Sequence, residues 1–473
     1  MNRFARLGTA FVAAVSLFLG GCGDASEGEA APLALMASPA APTGKFLHLS
    51  DIHFDVAASV IGGDVAVLSG LPIDQWDQHL DATAPPSSGR NDTNYTLLLS
   101  ALVAAQGAGP YDFILYTGDY LPHDFQFGTT DAESAAFAAK VAEYVNFKIG
   151  QTFPGKPIIG MLGNNDGGCG DYTLHPGGDF LADLAPDMPG VSADPAAQKD
   201  FAAYGYYAIP HPTVANTDFI VLSSYWSHNF PGYDHGFASR CARLPSGADP
   251  GKDQLDWLGA KLGSGGPSPS PPPSPLPSPR NAVLLMHIPP GIDGYSGGGQ
   301  WAARFEPGFE TTLSTASHTI LGAFAGHSHM DEFRVLSNSA GPYLAVRIAP
   351  AVTTKNGNAP SFTVTDYDTA TGAMTDYTVH SLRPRPQGPP DWQPEYTFSD
   401  AYGTGGFTPA RLAKLAARMQ DNADTSLARQ HYLSFYRAQN APAGAYPQNW
   451  KRAICAIAIA DQAAFNSCVS QMK

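Results

Sequence analysis

The chain has 473 residues, 44% of them hydrophobic, enough for one large core and a smaller unit beside it. A formal net charge of −15 argues against broad nucleic-acid binding and against attraction to anionic membrane surfaces. It leaves an anionic substrate open, because bound metal ions dominate the field of their own site.

The N-terminus reads as a targeting segment. Arg3 and Arg6 precede an apolar run from Leu7 to Leu19, which is short for a transmembrane helix. Leu19-Gly20-Gly21-Cys22 resembles a bacterial lipobox, so residues 1–22 are expected to be a signal peptide that leaves lipid on Cys22. A plain signal peptide or an uncleaved anchor are the alternatives. The expected product is an extracytoplasmic lipoprotein, periplasmic or at the cell surface. Residues 23–44, rich in Ala and Pro, read as a flexible tether. Cys169, Cys241, Cys455 and Cys468 then suit two disulfides. The pairs 169–241 and 455–468 are preferred among the three possible connectivities, with free buried thiols as the alternative.

A domain over residues 45–385 is expected to follow. Phe46-Leu47-His48-Leu49 reads as a buried strand leading to Asp51-Ile52-His53. On a continuing strand, Asp51 and His53 would share a side. Four later apolar runs end in the same residue types. Phe113 to Thr117 leads to Gly118-Asp119 and to His123-Asp124. Pro157 to Leu162 leads to Gly163-Asn164-Asn165-Asp166. Ala282 to Met286 leads to His287. Ile320 to Ala325 leads to Gly326-His327-Ser328-His329. Strand ends of open α/β sheets build sites, so five such endings imply one metal centre.

Between these runs, residues 55–94 read as a long insertion with a loop at 85–89. Residues 96–105, 133–149 and 254–262 have helical spacing, and residues 219–222 read as a strand. Residues 263–279 are Gly/Ser/Pro-rich and read as a spacer loop. Strands are expected at 333–336, 343–348 and 362–367. Residues 386–473 read as a C-terminal helical subdomain, with helices at 409–422, 426–437 and 450–472. His48 is expected to be packed, while His79, His175, His211, His228, His235 and His318 fall in expected loops.

The set Asp-x-His, Gly-Asp, Gly-Asn-x-Asp, a lone His and Gly-His-x-His resembles the calcineurin-like metallophosphoesterases. Asp51 to Asp55, Gln254-Leu255-Asp256-Trp257-Leu258 and His287-Ile288-Pro289-Pro290-Gly291 resemble the acid sphingomyelinase-like phosphodiesterase branch. The resemblance implies an α/β fold, a β-sandwich flanked by helices. It also implies two divalent metal ions, Zn²⁺ first and Mn²⁺ or Fe as alternatives. Asp51, His53 and His329 would hold one ion, Asn164, His287 and His327 the other, and Asp119 would bridge them. The implied activity is hydrolysis of phosphoesters in small molecules or lipids by an activated water.

One position departs from that pattern. Asn165 stands where the family usually has His; it is a candidate catalytic residue whose amide could donate a hydrogen bond to the phosphate but cannot act as an acid. Gly163-Asn164-Asn165-Asp166 is similar to the form in endopolyphosphatases, which opens phosphoanhydrides as an alternative substrate. A non-enzymatic, metal-stabilised surface lipoprotein is a third reading. His123 remains as a candidate acid that Asp124 could orient, or as a hydrogen-bonding residue beside the ligands. The oligomeric state is left open.

Overall fold

Strands buried on both faces have no polar side to show, which is why the site-bearing runs are continuously apolar. All four residues of the strand Phe113–Tyr116 are fully buried. In the computed structural model, residues 43–231, 244, 247–264, 280–384, 388–439 and 447–473 are described. The targeting segment with Cys22, nearly all of the tether, Cys241 and most of the 263–279 spacer lie outside the described residues. Thr43 and Gly44, expected in the tether, already belong to the first strand.

The described strands are β1 (Thr43–Leu49), β2 (Phe113–Tyr116), β3 (Ile158–Gly160), β4 (Tyr207–Pro210), β5 (Thr217–Val221), β6 (Asn281–Leu285), β7 (Thr319–Ala325), β8 (Glu332–Asn338), β9 (Gly341–Ile348), β10 (Ser361–Asp368), β11 (Met374–Arg383) and β12 (Asp391–Thr397). They form two six-stranded mixed sheets, ordered β12-β11-β10-β1-β2-β3 and β4-β5-β6-β7-β9-β8. Strands β1, β2 and β3 run parallel in the first sheet, as do β5, β6, β7 and β9 in the second. The inner faces meet through aromatic rings. Phe46 lies edge-on to Phe324 at 5.3 Å, and Phe113 to Phe219 at 5.7 Å.

Helices cover the outer faces. Asp131–Thr152 starts at a capping box of Thr130 and Glu133. Its expected inward residues Phe137, Val141, Tyr144, Val145 and Lys148 are all buried, and Lys148 Nζ reaches Asp77 Oδ2 at 2.8 Å. Asp77 belongs to the insertion, whose Trp76 is fully buried. That segment is therefore part of the core rather than an appended loop.

The tail departs from the sequence expectation twice. Residues 391–397 form edge strand β12 inside the region expected to be helical. Its Asp, Gln, Pro and Glu content hides it, because an edge strand has a solvated side and tolerates proline. The expected single helix 450–472 is two helices, Trp450–Ala456 and Gln462–Gln471. Between them the chain turns aside so that Ile457 O accepts the N–H of Val335 in β8 at 2.8 Å. Asp461 caps the second helix, and a Cys455–Cys468 disulfide joins the two. Cys169 is also disulfide-bonded.

Two buried histidines make acid destabilising. Burial lowers His48 to about 3, helped by Arg347, and lowers His211 to about 4. Both folded values lie below the ordinary 6.5, so the unfolded chain binds these protons first as pH falls. Their contribution is complete above pH 6.5 and is lost below it, by about 2–3 kcal/mol each at pH 4.5. Thermal melts should show a lower Tm at pH 4.5 than at pH 7. A His48→Gln/His211→Gln double variant should lose much of that slope, and an unchanged slope would contradict the account.

Candidate active site

The five motif loops leave the C-terminal ends of β1, β2, β3, β6 and β7. Asp51 and His53 were expected to extend β1, but β1 stops at Leu49 and both have left-handed backbones, φ 50° and 47°. Asp119, His327 and His329 share that region at φ 61°, 75° and 64°. Strand alternation therefore does not align these side chains; tight turns aim them at one centre, a strain that folds keep where a site requires it. The turns interlock, with Asp51 N–H on Gly118 O at 3.0 Å and His53 N–H on Asp119 O at 2.9 Å. There is no space for a Cβ at Gly163, against Asp119, or at Gly326, against Ser50 and Asp51.

All seven expected ligands come together, with Asp119 in the middle. Its Oδ2 lies 3.3 Å from His53 Nε2 and 3.1 Å from His287 Nε2. On one side His329 Nε2 is 3.1 Å from His53 Nε2 and 3.4 Å from Asp51 Oδ1. On the other, Asn164 Oδ1 is 3.0 Å from His287 Nε2 and 2.7 Å from His327 Nδ1. His53 and His287 donate their Nδ1 protons outward, to Leu121 O at 2.8 Å and Thr117 O at 2.7 Å. Their Nε2 lone pairs then face other acceptors in a buried space. Such a set needs positive charge at its centre, and imidazole, carboxylate and amide oxygen together fit divalent metal ions.

Without ions, protons take that role. Burial opposes charge on His53 and His287, but Asp119 overrides it and raises each to about 9. Burial also opposes charge on Asp119, yet His287 and His53 hold it well below the usual carboxylate range. His327 is lowered to about 3, by burial and then by His287, and His329 well below its ordinary value, by burial and then by His53.

The residues around this centre are partly those expected. His123 stacks on His53 at 4.1 Å. Its orienting group is not Asp124 but Asp92, whose Oδ1 accepts from His123 Nδ1 at 2.9 Å and whose Oδ2 accepts from His123 N–H at 3.0 Å. Burial opposes charge on Asp92, but His123 and then His53 hold it at about 2. Asn165 donates from Nδ2 to Asp119 Oδ2 at 2.8 Å and from its backbone to Asp119 Oδ1 at 2.9 Å. It braces the central carboxylate. Asp166 accepts four backbone N–H groups, from Asp119, Tyr120, Leu121 and Gly163, and so ties two motif loops together. Sequence reasoning assigned no role to Asp92 or Asp166. Asp166 sits inside a quoted motif, whereas Asp92 lies in the insertion with no motif to mark it.

Residues 44–331 match the family model for calcineurin-like phosphoesterases. The chain belongs to that family. Residues 339–473 match the acid sphingomyelin phosphodiesterase C-terminal region. Acid sphingomyelinase-like phosphodiesterase 3b of Homo sapiens is 26% identical over 459 residues, covering 91% of this chain and 90% of that protein. Sphingomyelin phosphodiesterase B of Dictyostelium discoideum is 25% identical, covering 86% and 61%. Cyclic GMP-AMP phosphodiesterase SMPDL3A of Rattus norvegicus is 23% identical, covering 90% and 92%.

This phosphoesterase is thus a hydrolase of a family that implies divalent metal ions. Its centre opens into a cleft of about 290 Å³. Asp119, His123, Asn164, His327 and His329 line it together with Arg90, Asp171, Tyr172, Tyr295 and Arg437. The C-terminal region supplies part of this lining through Tyr436, Arg437 and Asn449. Among the described residues, no helix is long and apolar enough to cross a membrane.

Proposed function

We propose that the protein hydrolyses phosphodiesters of the sphingomyelinase-like class with two divalent ions. The observation that carries this reading is Asp119 Oδ2, within 3.3 Å of an imidazole nitrogen from each ligand set. Asp51, His53 and His329 would hold one ion, Asn164, His287 and His327 the other, with Asp119 shared. Zn²⁺ suits these donors best, with Mn²⁺ or Fe as alternatives. Bound there, the ions supply Lewis-acid charge to the phosphate oxygens and lower the pKa of the attacking water.

The chain's own residues do the rest. The water oxygen bonds to phosphorus as the bond to the leaving oxygen breaks. His123, its Nδ1 held by Asp92, presents Nε2 as the acid that protonates the leaving oxygen. Asn165 donates no proton; it fixes the orientation of Asp119.

Metal-loaded protein should turn over bis(p-nitrophenyl) phosphate, a diester whose leaving group needs no proton. His123→Ala should cost such a substrate less than about tenfold and a diester of a poor alkyl leaving group roughly 10²–10⁴-fold. Asp92→Asn should show the same bias in weaker form. Equal losses on both substrates would reject His123 as the acid. Two bound metals with no turnover of any ester or anhydride would reject the enzymatic reading.

Three sequence expectations accompany this proposal. Lipid on Cys22 would place the enzyme outside the cytoplasm. Residues 45–385 would form the catalytic module. Residues 386–473 would form a C-terminal subdomain beside it.

A further inference from the structure

Beside the catalytic cleft lies a second hollow of about 830 Å³, which shares Arg90, Tyr295, Arg437 and Asn449 with it. Beyond those shared residues the hollow runs over Trp450, Lys451 and Arg452 at the start of a C-terminal helix. Among the described residues, four cations line it and no carboxylate does. On a chain of net charge −15 that concentration runs against the average surface. Among the described residues, none of the four is paired with an acid.

The hollow is also preformed. The loop carrying Tyr295 is pinned to the C-terminal region by three bonds. Arg452 Nη1 donates to Tyr295 O at 2.9 Å, Asn449 Nδ2 to Gly294 O at 2.7 Å, and Gln462 Nε2 to Gly297 O at 2.9 Å. The Tyr295 side chain is 75% exposed at the junction of the two hollows. Lys451 Nζ lies 5.6 Å from the Trp450 ring centre, beside an aromatic face rather than a carboxylate. A substrate whose scissile phosphate sits on the metal centre would extend its distal part over this shelf.

We propose that the shelf is a second anion subsite. It binds a negative group on the substrate beyond the scissile phosphate and selects doubly anionic diesters over those with zwitterionic head groups. The inference rests on the phosphodiesterase reading for its meaning, but the subsite can be judged separately. Its ligand chemistry is a second phosphate, carried by a nucleotide or by a polyphosphate chain.

The test uses two substrates that differ only in that group, thymidine 5′-(p-nitrophenyl phosphate) and its 3′-phosphorylated form. In low salt the wild type should show a kcat/KM about tenfold higher for the latter, a contrast that shrinks in high salt. Lys451→Gln should reduce the ratio to about threefold and Lys451→Glu to one or below. Turnover of bis(p-nitrophenyl) phosphate should not change. Calorimetry with thymidine 3′,5′-bisphosphate against thymidine 5′-phosphate should give the same contrast even if no ester is turned over, which separates failure of the subsite from failure of the phosphodiesterase reading. Competition by inorganic tripolyphosphate that vanishes in Lys451→Glu would assign the shelf to phosphoanhydride chains. A wild-type ratio of one in both kinetics and binding, or a ratio unmoved in Lys451→Glu, overturns the proposal.

Discussion

Asp119→Ala should lose stoichiometric binding of both metal ions and at least about 10³-fold in turnover of an activated phosphodiester. The expectation follows from its place between the two ligand sets, facing His53 at 3.3 Å and His287 at 3.1 Å. Removing any other ligand leaves one complete half of the site; removing this carboxylate leaves neither. A second readout follows from charge. In the metal-free protein Asp119 is what raises His53 and His287 to about 9, so at pH 7 metals must displace those protons. Metal uptake should therefore release protons at pH 7, and apparent affinity should rise with pH until about 9. In Asp119→Ala the largest group raising both rings is gone, leaving burial opposed by Asp51 and, at His53, by Asp92, and the proton release should shrink. Elemental analysis with pH-stat titration measures both effects. A variant that keeps two metals and full activity would refute the bridging role.

Asp166→Ala should be the most destabilising single change near the site. Its carboxylate accepts N–H groups from Asp119, Tyr120, Leu121 and Gly163, at 2.7 to 3.1 Å. Without it four donors are orphaned in a buried region, each costing about 1–3 kcal/mol. Relaxation and water entry reduce the sum, so a loss of about 3–6 kcal/mol is expected. Asp166→Asn should recover little, because an amide offers one acceptor oxygen where two are used. Denaturant unfolding measures the loss. The displaced Asp119 should also weaken metal binding, so stability and metal content should fall together. Wild-type stability in Asp166→Ala would show that the loops stand without this clamp.

The seven residues that meet at this centre were legible because each follows a buried apolar run, and Asp119, Asn164 and His327 each come directly after a glycine. Gly163 and Gly326 mark places where two loops touch, and their motifs carry that constraint openly. What could not be read was direction. Asp51 and His53 look like neighbours on a strand, yet their left-handed backbones belong to a turn that no local pattern announces. Asp92 was missed for a different reason. It joins His123 across 31 residues of sequence, through an insertion whose folding depends on burying Trp76 and on the Lys148–Asp77 contact. The break at residues 457–461 was hidden because Ile457-Ala458-Ile459-Ala460 suits a helix. The deciding partner, Val335 in β8, lies far away in the chain.

That junction at Val335 has a practical consequence for anyone wishing to shrink the enzyme. Besides Ile457 O, the backbone carbonyls of Tyr436 and Arg437 accept the N–H groups of Asp331 and Ala359. Asp331 lies two residues beyond His329. A chain stopped after Pro384 would strip β12 from its sheet, uncover Phe333 and abandon the loop leaving His329. Recombination or circular permutation that respects only the motif-bearing half should yield insoluble or metal-poor protein. The smallest transferable piece runs through both halves, and new termini between Gly263 and Arg280 would cut none of the described strands of either sheet.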